Sequence, residues 1–179
     1  MTMTMNELDY VRSTVRQVPD FPKPGILFLD ITTATKDAKS MNLMIEFLYE
    51  KFKDEKIDYI AGIESRGFIF GAPLACKLGA GFVPIRKPNK LPADTIKESY
   101  SLEYGTDTIE MHADAIKEGD RVLVIDDLLA TGGTVSAACK LLTKAGADVK
   151  AAAFIIELAD LQGRKNLPQD VEVVSMITY

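Results

Sequence analysis

The stretch that decides the fold is VLVIDDLLATGGT, residues 122–134. Val122, Leu123, Val124 and Ile125 form an apolar run of the length and kind expected of a strand buried on both faces. The run ends in two acids, Asp126 and Asp127. A small-residue turn follows, Ala130-Thr131-Gly132-Gly133-Thr134, and then an amphipathic segment over residues 135–144 closed by Gly146. Strand, turn and helix recur on either side. Residues 57–63 read as a strand that leads through Glu64-Ser65-Arg66-Gly67 into a helix to Leu78 and a strand at 81–85, and residues 149–156 read as a further strand. This alternation predicts an α/β protein with a central, mostly parallel sheet flanked by helices and joined by right-handed crossovers. Ligands of such sheets bind beyond the carboxyl ends of the strands. Two loops leave those ends here, at 64–67 and at 126–134.

The second loop carries groups that suit two different chemistries. In a Thr-Gly-Gly-Thr turn before a helix, glycines let the backbone curl, N–H groups project outward and the helix dipole adds positive potential. That describes a phosphate cradle, and it equally describes an ordinary strand-to-helix turn capped by a threonine. The dinucleotide pattern GxGxxG and a Walker loop ending in GKS or GKT are both absent. Asp126 and Asp127 bear on the choice, because carboxylates accept hydrogen bonds from ribose hydroxyls and serve as outer-shell partners of Mg²⁺. Acids for a sugar directly before N–H groups for an anion point to a ribose phosphate.

Elsewhere the sequence bounds the answer. The 179 residues are 47% hydrophobic and 26% charged with a net charge of -5, which fits one domain spanning 1–179 and argues against a general nucleic-acid or membrane-surface role. Cys76 and Cys139 lie in apolar helix-like runs without metal-ligand spacing, so they read as buried thiols in a reducing compartment. Between Gly67 and Ile85 only Lys77 is charged. Pro73, Gly79 and Gly81 break that run into a buried helix and a buried strand rather than a membrane span. The N-terminus has no basic region or apolar core of a signal peptide. Leu8, Val11, Val15 and Val18 predict a helix over about 6–18, ended by Pro19. A second helix after Asp37 has Met41, Met44, Ile45, Leu48 and Phe52 on one face. Residues 86–111 break the strand–helix pattern, are basic at their start and have the length of a functional lid. The alternation at 100–104 suits the arms of a hairpin.

Five blocks, FPKPGILF followed by DIT, DYIAGIESRGFIFGAPLA, VPIRKPNKLP, YSLEYG and VLVIDDLLATGGT, resemble in that order the adenine-using branch of the type I phosphoribosyltransferases. The resemblance implies that family's fold, with a small N-terminal hood over about 1–35 and a flexible lid loop over about 86–111. It implies transfer of the 5-phosphoribosyl group of phosphoribosyl pyrophosphate (PRPP) to adenine, giving AMP and pyrophosphate, in cytoplasmic purine salvage. Mg²⁺ would be held through substrate and water rather than by direct protein ligands, with Asp126 and Asp127 at most in its outer shell. The protein would be a homodimer with no nucleic-acid or membrane partner.

Residue roles follow from the same resemblance. Arg66 would hold pyrophosphate with the basic group Arg86, Lys87 and Lys90. Asp126 and Asp127 would take the ribose, and Ala130, Thr131, Gly132, Gly133 and Thr134 the 5′-phosphate. Glu103 would handle the adenine N9 proton while Tyr104 covers the reaction centre. Leu27, Leu29 and Leu128 would contact adenine, the hood through its main chain. The family's pyrophosphate loop often holds a cis peptide, expected here at Ser65–Arg66. His112 receives no role. One position departs from the relatives, which usually read Phe-Arg-Asp where this chain reads Phe28-Leu29-Asp30. Two alternatives keep the fold: a PRPP-sensing regulator that binds nucleic acid, and an enzyme for xanthine or hypoxanthine.

Overall fold

A computed structural model describes residues 4–101 and 105–179. The chain divides into two compact units, one reaching to Lys51 and one beginning at Phe52.

The first unit opens with α1 (Met5–Thr14). Its start is a capping box: the Thr4 N–H donates to Glu7 Oε2 at 2.8 Å while the Glu7 N–H donates to Thr4 Oγ1 at 3.4 Å. The helix stops short of the expected Val18. At its end Ser13 and Thr14 turn their hydroxyls back onto the carbonyls of Tyr10 and Val11, each at 2.7 Å, a competition that weakens a helix. Residues 16–19 instead form β1 (Arg16–Pro19), antiparallel to β2 (Leu27–Asp30), with Arg16 opposite Asp30. The Arg16 Nε donates to Asp30 Oδ2 at 3.0 Å. Hydrogen bonds from Thr32 first, and from Arg16 next, hold the Asp30 carboxyl down at about 2. A short helix, α2 (Thr32–Lys36), follows, then α3 (Ala38–Phe52). Asp37 caps α3 by accepting from the Ser40 N–H at 2.7 Å. Met44 and Leu48 are fully buried on the expected apolar face.

The second unit carries a five-stranded sheet built from β3 (Tyr59–Ile63), β4 (Gly81–Ile85), β7 (Arg121–Leu129), β8 (Asp148–Glu157) and β9 (Glu172–Thr178). The order is β4-β3-β7-β8-β9 and all four pairings are parallel. α4 (Arg66–Leu78) and α5 (Gly133–Lys144) make the crossovers beside the central strands. Residues 122–125 and 151–156 are almost wholly buried, which explains their unbroken apolar reading. The chain adds β4 on one side of β3, then returns to add β7 on the other. The direction of strand addition reverses between β3 and β7, which is where α/β sheets open a crevice.

The 86–111 region is mostly an antiparallel hairpin of β5 (Thr95–Ser101) and β6 (Thr106–His112). Its first arm begins earlier than the alternation at 100–104 suggested. Two further differences matter below. β7 runs on through Asp126 and Asp127 because β8 is long enough to pair with it as far as Leu129↔Glu157. Between β8 and β9 the chain makes two short 3₁₀ turns, Ala159–Leu161 and Gly163–Asn166.

Candidate active site

The end of β7 and the start of α5 enclose a hollow of ≈ 90 Å³, several times the ~10–15 Å³ that a single water needs. Its walls are Asp126, residues 128–135 and Phe154. The N-cap of α5 is Gly132, at φ 81°, so it supplies no side-chain cap. The threonine-capped turn that the sequence left open is therefore not what forms. The first N–H groups of a helix have no intrahelical acceptor, and among the described residues no backbone group accepts from the N–H of Thr131 or Gly132 either. Thr131, Gly132 and the first residues of α5 line the hollow together, a setting suited to an anion.

Asp126 stands in the wall of that hollow. Loss of water around it, with the charge of Asp127 adding to the effect, pushes its carboxyl well above the ordinary carboxylate range. Its Oδ1 accepts the Asp127 N–H at 2.9 Å. The Asp127 side chain, 5% exposed, accepts instead from Arg66 Nε at 2.5 Å. Arg66 opens α4 directly after β3. Gly67 permits this juxtaposition: a Cβ there would lie 2.5 Å from the carbonyl oxygen of Ile125 and 3.4 Å from Asp126 Oδ1. The first turn of α4 is thereby seated on the end of β7. The loop before it does contain a cis non-proline peptide, at Glu64–Ser65 rather than at the expected Ser65–Arg66.

Glu64 organises the basic loop. Its carboxylate accepts from Arg86 Nε at 3.1 Å, from Arg86 Nη2 at 3.3 Å and from the Lys87 N–H at 3.0 Å. Arg86 Nη1 donates to the Lys90 carbonyl at 3.2 Å, which closes the turn. Lys87 Nζ is paired with Asp107 of β6 and donates to the Tyr100 hydroxyl at 3.3 Å. That hydroxyl also donates to Asp107 at 3.1 Å and lies 3.2 Å from Thr134 Oγ1. The hairpin and the α5 cradle thus meet at Tyr100. Burial alone would lower the Lys87 ammonium, but its hydrogen bonds to Asp107 and Tyr100 leave it raised and charged.

Of the residues that the sequence singled out, Arg66, Arg86, Lys87, Asp126 and the 130–134 turn lie at neighbouring strand ends of one unit. Lys90 is exposed on the same turn as Arg86. Reasoning from sequence missed Glu64, Asp107, Tyr100 and Glu110. Glu110 is 1% exposed and lies beneath the basic loop. Burial raises its carboxyl, yet hydrogen bonds from Lys97 and from the Asn89 and Lys90 backbone outweigh that and hold it low. Only an acid among apolar strand residues hinted at it. Glu103 and Tyr104 lie outside the described residues. Leu128 is part of the hollow's wall. Leu27 and Leu29 belong to the first unit, where Leu27 is 50% exposed and Leu29 only 6%. Leu29 is thus a core residue of that unit. Among the described residues no three His, Cys, Asp or Glu side chains are grouped to hold a metal ion, and no helix is long and apolar enough to cross a membrane.

Comparison with known proteins agrees with this geometry. Residues 31–178 match the phosphoribosyl transferase domain family. An adenine phosphoribosyltransferase from Cyanothece sp. is 59% identical over 169 residues, covering 94% of this chain and 99% of that one. The crystal structure of an adenine phosphoribosyltransferase from Rhodothermus marinus is 52% identical, covers 98% of this chain and 100% of its own, and superposes with a TM-score of 0.93. An adenine phosphoribosyltransferase from Saccharomyces cerevisiae, complexed with an imino-altritol bisphosphate and adenine, is 38% identical with a TM-score of 0.90, covering 97% of this chain and 100% of that one.

Proposed function

The chain belongs to the phosphoribosyl transferase domain family, and from that premise we propose that it transfers the 5-phosphoribosyl group of PRPP to adenine, releasing AMP and pyrophosphate in purine salvage. The observation that carries the reading is the pairing of an acid with a cradle. Asp126 stands in the same hollow as the uncapped N-terminus of α5. A ribose 5-phosphate has one end for each.

In this reading adenine N9 displaces pyrophosphate at ribose C1 through a transition state of oxocarbenium character. The protein supplies no nucleophile, and positioning and electrostatics lower the barrier. Residues 130–134 hold the 5′-phosphate and Asp126 accepts from the ribose hydroxyls. Asp127, assigned the same task on resemblance, aims the Arg66 guanidinium, whose fork of donors suits pyrophosphate. Arg86, Lys87 and Lys90 add positive charge from the basic loop, shaped by Glu64. Glu103 takes the N9 proton and Tyr104 excludes water from the reaction centre; both assignments rest on resemblance. So do base contacts from the main chain at Leu27 and Leu29, and from Leu128. There a carbonyl accepts the adenine 6-amino group and an N–H donates to N1, a pattern that hypoxanthine reverses.

Asp126 and the Arg66-bound Asp127 form no closed metal cage. This fits Mg²⁺ carried mainly by substrate phosphates and water, where it would neutralise phosphate charge. A homodimer in the cytoplasm completes the proposal and rests on the family resemblance; of the two free cysteines, Cys139 is buried as expected, whereas Cys76, on α4, is exposed.

The test offers adenine, hypoxanthine, guanine and xanthine separately with PRPP and Mg²⁺, and measures nucleotide formed. AMP from adenine, with the other bases at least about 10³-fold slower in kcat/KM, is the expected result. Turnover of an oxopurine would replace the base assignment. PRPP binding without any product would favour the regulator.

A further inference from the structure

Three successive carbonyls of the cradle meet one segment of the chain, residues 158–166. The Leu129 carbonyl accepts the Leu158 N–H at 2.9 Å. The Ala130 carbonyl faces Gly163 so closely that a Cβ on that glycine would lie 2.2 Å from it. The Thr131 carbonyl accepts from the Asn166 side-chain amide at 2.7 Å. All three partners belong to the segment between β8 and β9, and none of them lines the hollow. A trans peptide is planar, with its C=O and N–H pointing in opposite directions. The peptides of this loop are trans, since the cis bonds of the described residues lie elsewhere. Each carbonyl drawn back toward 158–166 therefore turns the following N–H away from that segment. The N–H groups concerned are those of Ala130, Thr131 and Gly132, where the cradle opens.

Two of the three carbonyl contacts come from backbone: a main-chain hydrogen bond at Leu158 and a close approach at Gly163 that any added Cβ would break. The third depends on a side chain, and that side chain acts on the Gly132 N–H, at the N-cap of α5. We propose that Asn166 is a positioning residue of the phosphate cradle: by donating to the Thr131 carbonyl it fixes the orientation in which the Gly132 N–H meets the 5′-phosphate. Asn166 is exposed, so its amide fills no core position, and removing it changes the peptide it holds rather than the fold. The inference rests on the proposed ribose-phosphate reading of the hollow.

The experiment measures binding of ribose 5-phosphate, AMP and pyrophosphate separately to the wild type and to Asn166→Ala and Asn166→Gln, together with Tm and adenine transfer kinetics. Asn166→Ala should weaken ribose 5-phosphate and AMP by about fivefold or more, the loss expected for one oriented hydrogen bond. It should raise the PRPP KM similarly and leave pyrophosphate within about twofold. Asn166→Gln keeps an amide donor and should recover most of the loss. A merely structural role would instead lower Tm and weaken all three ligands alike. Unchanged AMP binding in Asn166→Ala, or an equal loss of pyrophosphate, overturns the role of Asn166. Wild-type protein that neither binds ribose 5-phosphate nor makes AMP overturns the proposed function itself, whatever the variants do.

Discussion

Two loops leave neighbouring strands of the same sheet and enter helices, yet they are built from different materials. The loop after β7 is a backbone device. Its N-cap is a glycine at positive φ, its donors are main-chain N–H groups, and it leans against Gly163 at van der Waals range. The loop after β3 is a side-chain device. Arg66 pairs with Asp127, and Glu64 binds both the Arg86 guanidinium and the Lys87 N–H. The difference matches the two kinds of phosphate that the proposed reaction handles. A 5′-phosphate that stays attached to the ribose suits fixed backbone dipoles. A departing pyrophosphate with growing negative charge suits mobile full charges balanced by carboxylates until they are needed. The first loop should therefore be sensitive to added atoms and the second to altered charge.

The largest effect should come from adding one carbon to the backbone device. Gly132→Ala places a Cβ 2.3 Å from the Gly163 carbonyl oxygen at a residue with φ +81°. The conformation alone costs about 1–3 kcal/mol, and the overlap forces the cradle to move. A loss of about 10³-fold in kcat/KM for PRPP, with a clear fall in Tm, is expected. Near-normal kinetics would show that the cradle is not held by its contact with Gly163. Next comes the side-chain device. Arg66→Gln removes the guanidinium while keeping polarity and leaves Asp127 buried without that ion pair. Loss of about 10²-fold in kcat/KM is expected, seen as weaker pyrophosphate binding while ribose 5-phosphate binding changes little. If the two ligands weaken equally, the division of labour between the loops is wrong.

How much of this could be read in advance depended on whether the cause was local. The strand–turn–helix at 122–144 was legible because an apolar run, a Gly-Gly turn and helical spacing lie next to one another. The end of α1 was not. Val11, Val15 and Val18 fit helical spacing, but residues 16–19 answer to a partner strand and to Asp30, fourteen residues on. β9 was missed for a similar reason: it takes its place from β8. At the site the residue types were legible and their pairings were not. Arg66 and Asp127 are 61 residues apart, and no short-range pattern announces that they meet. Asn166 and Gly163 carry no motif at all; their part appears only when the 158–166 segment is seen behind the cradle. The cis peptide was expected in the right loop but one bond too late, because the resemblance fixed a neighbourhood rather than a bond.

Asp126 lies between the two devices, and it gives the smallest and most discriminating effect. Its carboxyl is held above its ordinary value of 3.8, by burial first and by Asp127 second. A group that binds its proton more tightly in the folded protein stabilises the fold below its unfolded pKa. That contribution is lost as pH rises through the folded value. Near neutral pH the raised Asp126 carboxyl thus works against the fold, as residues shaped for a ligand often do. Asp126→Asn keeps the oxygen that accepts the Asp127 N–H and removes the charge. Its Tm at neutral pH should rise by a few degrees, and the advantage over the wild type should shrink as pH is lowered toward 4, a profile that calorimetry across pH reads directly. The same variant should bind ribose 5-phosphate less tightly, because an amide takes the place of the carboxyl oxygens that face the ribose hydroxyls. A variant less stable than the wild type at neutral pH would mean that Asp126 belongs with the balanced charges of the loop after β3, and that the backbone cradle works without a destabilising acid at its edge.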